Sequence, residues 1–275
     1  MQSAKLKIIF FICLVALVAA APLHAANRPI HYSFTITNTG SSVAKEAHFW
    51  TYAPIGQSSL QTSVPYQLIT DDLGNQILHF TFNNIPPYAA RIITIEAGIN
   101  PAASNASTNT KPYLKVEPYC EADNPAITEL AGKLKGSTKI KTVENIFQWV
   151  SNNVRYTGYF KNPRGALYAL KHKQGDCTEY MYLFVALCRA NKIPARGIGG
   201  YLASRNPILK PDAYHNWAEC SIDGTWKIID PQRKIFMGDQ ALYIPLHIIG
   251  DAPKNPISGP YRFRYEGEGI QVTMK

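Results

Sequence analysis

Gly175-Asp176-Cys177-Thr178-Glu179 places a thiol where a helix should begin. Asp176 suits the N-cap, and Glu179 three residues on completes a capping box, so Cys177 takes the first helical position. There its sulfur meets backbone N–H groups left unpaired by the helical ladder, and the positive end of the helix dipole. Both favour the thiolate, the nucleophilic form. Alone this is weak evidence, because small buried cysteines are common.

A second stretch supplies a base. His215-Asn216-Trp217-Ala218-Glu219 and Trp226-Lys227-Ile228-Ile229-Asp230-Pro231 flank Asp223-Gly224, a strong two-residue hairpin signal. With that loop, Ile222 faces Thr225 and Trp217 faces Asp230, so His215, Trp217, Glu219, Ile228 and Asp230 share one face. His215 and Asp230 become diagonal neighbours with backbones roughly 7–8 Å apart, a gap their side chains can close. An imidazole acting as base needs such a group to fix its tautomer. Glu219 lies four residues along the strand from His215, roughly 13 Å away, and suits bracing of the sheet. Cysteine at a helix start with histidine and aspartate on adjacent strands is an activated-nucleophile arrangement.

The motifs Gly-Asp-Cys-x-Glu-Tyr-x-x-Leu-Phe-x-Ala-Leu-Cys-Arg-Ala-x-x-Ile-Pro-Ala-Arg-x-Ile-x-Gly-Tyr, His-Asn-Trp-Ala-Glu and Trp-Lys-Ile-Ile-Asp-Pro follow in order. Together, over about residues 140–232, they resemble the transglutaminase-like superfamily. The resemblance implies a papain-related core with Cys177 as nucleophile, His215 as base and Asp230 orienting the imidazole. It also sets Arg196 and Tyr201 beside the site, where local pairing and a place on the sheet suit them better than catalysis. Trp217 is expected to wall the cleft and Asp176 to support it. One departure is Gln232, where many members have threonine after Asp-Pro. For the oxyanion, the Cys177 backbone N–H is one donor; Tyr156 and Trp149 are candidates for the other.

These residues must be positioned by an α+β architecture. Thr138–Val154 carries Ile140, Val143, Ile146, Phe147 and Val150 at helical spacing, and Thr178–Asn191 reads as a strongly apolar helix. Shorter helices are expected from Pro125 to about Leu134 and over Gly165–Lys171. Strands are expected at Ala195–Ala203, Tyr214–Ile222 and Trp226–Asp230. Upstream, alternation at Ile30, Tyr32, Phe34 and Ile36, with further runs at 48–53, 66–70, 76–82 and 91–99, predicts a small antiparallel β-sandwich. It resembles the β-domains that often precede this core in secreted bacterial members. The division expected is a signal peptide over 1–26, a sandwich over 27–100, a small polar linker over 101–112, and the catalytic domain with a strand extension over 113–275.

Lys5 and Lys7 precede an unbroken apolar run from Ile8 to Ala21 and a small-residue end at Ala25-Ala26. That layout is a secretory signal, too short for a membrane span, and points to a secreted or periplasmic protein. Two lysines would leave with it, so 28 basic groups become 26 against 19 acidic ones, a net +7. That excess is spread along the chain without a basic run, which argues against nucleic acid as a partner. The five cysteines contain no CxxC, and His172…Cys177…His215 lacks metal-ligand spacing, so no metal or other cofactor is expected. Cys188 suits core packing, with a bridge to Cys220 as the alternative; Cys120 has no assigned role.

The chemistry implied is thioester formation on Cys177 from an amide of a peptide or protein, of the envelope or elsewhere. Water as acceptor gives a peptidase or amidase, the reading preferred; an amine gives a transglutaminase. A non-catalytic binding or assembly module is the rival from another class.

Overall fold

The computed structural model describes residues 28–100, 109–202 and 208–275. The signal peptide and residues 101–108 of the expected linker lie outside the described residues. Six strands come first: β1 Arg28–Asn38, β2 Ala44–Tyr52, β3 Gln57–Thr62, β4 Gln67–Thr70, β5 Gln76–Ile85 and β6 Ala90–Ile99. Helices α1 Pro125–Lys133, α2 Lys139–Asn153, α3 Gly165–His172 and α4 Cys177–Ala190 follow, with a short parallel pair, β7 Arg155–Tyr156 and β8 Gln174–Gly175, between them. The sheet strands β9 Ala195–Leu202, β10 Tyr214–Ile222, β11 Thr225–Asp230, β12 Ile235–Gly238 and β13 Tyr243–Ile249 come next. The chain ends in β14 Phe263–Glu266 and β15 Ile270–Met274.

Strand β3 escapes sequence reading for a physical reason. Its sequence, Gln-Ser-Ser-Leu-Gln-Thr, carries one apolar residue, because it is an edge strand paired only with β6. A larger correction concerns the end of the chain. Sequence assigns residues 263–275 to the catalytic domain; instead β15 pairs with β1 and β14 with β2. The sandwich is therefore two four-stranded sheets, β15-β1-β6-β3 and β14-β2-β5-β4. Without the returning strands, β1 and β2 would each present a row of unpaired backbone groups.

The central sheet has the order β12-β11-β10-β9-β13, antiparallel throughout. Asp223 and Gly224 both have positive φ, 49° and 79°, as a type I′ loop requires, and they fix Ala218–Ile222 against Thr225–Ile229. Alternation then sorts the strands. Ala218, Cys220 and Ile229 pack with the helices in one core, while Trp217, Ile228 and Ile198 pack with Tyr113, Trp226 and Tyr243 in another. Helix α4 is buried from Thr178 to Arg189, enclosed by its fellow helices and by β9 and β10.

The sandwich is locked to the edge of this sheet. Asn75 acts as a backbone surrogate on β13: its Nδ2 donates to the Ile248 carbonyl at 2.9 Å and its Oδ1 accepts from the Ile248 N–H at 2.7 Å. Asp71 in turn accepts from Asn75 Nδ2 and from Asn255 Nδ2, both at 2.8 Å. All three side chains are buried, so their polar atoms satisfy one another.

Candidate active site

Helix α4 begins at Cys177, and the capping box is complete. Asp176 Oδ1 accepts from the Thr178 N–H at 2.8 Å, and Glu179 Oε2 from the Asp176 N–H at 3.1 Å. Each carboxylate spends its second oxygen on the loop beside the site: Asp176 Oδ2 accepts from the Phe160 N–H and Glu179 Oε1 from the Arg164 N–H, both at 2.8 Å. A Cβ on Gly175 would sit 2.3 Å from that of Glu179, so only glycine lets Glu179 fold back. The pair thus caps the helix and holds the loop with the same charges. Burial raises the Glu179 carboxyl above its ordinary range.

Thr178 Oγ1 accepts from Asn216 Nδ2 at 3.0 Å, tying the start of α4 to β10 one residue beyond Cys177 and His215. His215 Nε2 lies 2.7 Å from Asp230 Oδ2. Asp230 is wholly buried, and Oδ2 also accepts from the Tyr243 hydroxyl at 3.1 Å, while Oδ1 accepts from the Arg233 N–H at 3.2 Å. A buried carboxylate needs such donors. With Nε2 on Asp230, the ring presents Nδ1 for proton exchange.

Burial pushes the Cys177 thiol up to about 12, and the Asp176 charge adds to that. The Asn216 N–H and the Thr178 hydroxyl, hydrogen-bonded to the sulfur, pull the other way. The helix start therefore does not by itself ionise the thiol, contrary to the expectation from position alone: desolvation outweighs a terminal dipole.

Cys177 opens on a cleft of about 580 Å³, walled by Tyr156, Tyr159, Tyr214 and the strap Pro260–Phe263 that leads into β14. The sandwich thus completes the cleft beside Cys177 through the chain's return. Of the proposed oxyanion donors, Tyr156 lines this cleft, and Trp149 does not; its ring lies under Lys173 Nζ at 4.1 Å.

The supporting residues divide by place. Asp176 is at the site. Trp217 does not wall the cleft, as its strand alternation suggests it should; it is buried behind the imidazole, with ring centres 6.3 Å apart, and carries the Tyr243 ring at 4.9 Å. Gly200 makes room for it, since a Cβ there would meet the indole at 2.8 Å. Glu219 and Arg196 face each other across β10 and β9 and form a buried pair, with Oε2 2.6 Å from Nη2 and 2.9 Å from Nε; the guanidinium lies 4.1 Å from the Trp226 ring centre. They brace the sheet below the site. Tyr201 belongs to the seam with the sandwich, its hydroxyl 3.0 Å from Met274 Sδ. Sequence reading missed Tyr243, which reaches Asp230 from the edge strand β13, and the strap; no local spacing marks either. Cys120, Cys177, Cys188 and Cys220 are all free thiols. Among the described residues no group of His, Cys, Asp and Glu has the arrangement of a metal site.

A thiol at a helix start, an imidazole on the adjoining strand and a buried carboxylate behind it define a papain-like cysteine–histidine–aspartate constellation. Residues 128–231 match the profile of the transglutaminase-like superfamily. The UPF0252 protein of Methanocaldococcus jannaschii is 32% identical over 117 residues, 38% of this chain, and the chain spans 33% of that relative's length. The fold is similar to that of a protein from Cytophaga hutchinsonii provisionally designated a cysteine protease. The TM-score is 0.59 with 19% identity, covering 90% of this chain and 89% of that one.

Proposed function

We propose that this chain is an exported, cysteine-dependent enzyme that cleaves peptide or protein amides through a thioester on Cys177, with the segment 1–26 as its export signal. The observation that carries the proposal is the His215–Asp230 contact at 2.7 Å beside a cysteine that opens the helix tied to the same strand.

His215 Nδ1 takes the thiol proton as Sγ attacks the substrate carbonyl, forming the C–S bond. Asp230 steadies the resulting imidazolium. The Cys177 N–H, unpaired in the helical ladder, and the Tyr156 hydroxyl supply the donors to the oxyanion. Collapse breaks the C–N bond, and the leaving amine collects the proton from His215. Water, deprotonated by the same ring, then releases the acid and restores the thiol.

Alkylation by iodoacetamide at pH 7 tests this, because a thiol of raised proton affinity needs its base. Wild-type Cys177 should label faster than free cysteine. In His215→Ala it should label more slowly than free cysteine, because burial and the Asp176 charge raise the thiol's proton affinity and no base remains to take the proton. Equal labelling of the two proteins overturns the base assignment. Mass analysis of the products from a peptide mixture, with and without a primary amine, then separates hydrolysis from transamidation.

A further inference from the structure

Arg262 is a half-buried cation on the wall of the cleft that holds Cys177. Its backbone is anchored one residue before β14, where its carbonyl accepts from Thr51 Oγ1 at 3.3 Å. Its guanidinium lies 5.2 Å from the Tyr214 ring centre; Nη1 donates to the Pro211 carbonyl at 3.1 Å and stands 3.8 Å from Met274 Sδ. The Tyr201 hydroxyl is also hydrogen-bonded to it. All these partners are neutral. The two buried arginines of the core each have a glutamate, Glu117 for Arg189 and Glu219 for Arg196, whereas among the described residues no carboxylate lies within 4.0 Å of Arg262. Asp212 lines the same wall yet stands outside that range. Ring and carbonyl contacts hold the fork in place but leave its charge uncompensated.

We propose that Arg262 is the specificity residue of this cleft and binds a carboxylate carried by the substrate, either an acidic side chain or a chain end, so that the acyl donor is an acidic peptide. The proposal rests on the reading of Cys177 as the reacting thiol. It also gives the returning C-terminal strands a second role, since they deliver a charge from the sandwich to the catalytic cleft.

Binding is measured by NMR titration on the full chain carrying Cys177→Ala, which keeps the test independent of thioester chemistry. The probes are acetyl-Gly-Gly-Glu-Gly-Gly-amide, its Gln counterpart, the Gln peptide ending in a free carboxylate, and the Lys counterpart. One of the two carboxylate peptides should bind at least about tenfold more tightly than the Gln amide, the scale of a charge-assisted bidentate contact, and which one does so identifies the source of the carboxylate. Added Arg262→Gln should bring the affinities together, and Arg262→Lys, which keeps the charge but not the fork, should retain part of the preference, guarding against a folding defect in the first variant. Raising the salt from about 0.05 to 0.5 M should narrow the difference. Equal affinities, a preference for Lys, or a preference that survives Arg262→Gln overturns the proposal. Failure of the iodoacetamide test above, by contrast, would count against the enzyme reading and leave these affinities as measured.

Discussion

His215 and His247 are both buried imidazoles close to aromatic rings on the central sheet, yet their surroundings suit opposite roles. His215 faces a carboxylate at 2.7 Å and sits beside the strand position that touches Cys177. His247 stacks flat on Tyr52, ring centres 4.0 Å apart at 4°, and has only the Gly259 carbonyl at 3.3 Å for Nε2, while Nδ1 has no partner. Burial pushes His247 down to about 3, so it stays neutral and acts as an aromatic plate between sandwich and sheet. A fixed anion favours a histidine's charged form, as the proposed base requires, whereas enclosure alone holds the ring neutral.

The largest effect should separate the two outright. His215→Ala is expected to lower amide turnover by about 10⁴-fold or more, the loss typical when one member of a nucleophile–base unit is removed. His247→Ala should leave turnover within a few-fold and instead cost about 2–4 kcal/mol of stability, measured by denaturant unfolding, because it empties a packed site. Asp230→Asn keeps the shape but removes the anion, and should cost about 10²–10⁴ in turnover.

Acid sharpens the contrast in stability. A histidine whose folded pKa lies below its unfolded 6.5 contributes stability that is complete above 6.5 and is lost as pH falls towards about 3. Wild type should therefore lose about 2–3 kcal/mol between pH 7 and 4.5 through this group, and His247→Gln should lose that much less over the same interval. The smallest effect concerns the second donor to Asp230. Tyr243→Phe should lower turnover by about three- to tenfold with KM nearly unchanged, since it disturbs the carboxylate and leaves the cleft wall intact.

Much of the site was legible because its information is local. Asp176 and Glu179 specify a cap, Asp223-Gly224 specifies a loop, and those two short-range devices set the register that brings His215 to Asp230. The apolar periodicities of α2 and α4 and the alternation in β1, β2, β5 and β6 likewise needed no knowledge of distant chain.

The tertiary structure decided what depends on segments far apart in sequence. Trp217 has the alternation of a cleft residue but is covered by Tyr243, which arrives from β13 across the intervening strand β9. The thiol's proton affinity was set by how much protein surrounds the sulfur, a quantity no spacing encodes. The last thirteen residues read as an extension of the core, yet the open edges of β1 and β2, more than 200 residues earlier, claim two strands from them. Local hydrogen bonds and side-chain periodicity are written in neighbouring residues, whereas burial and strand pairing are settled only when the whole chain competes for partners.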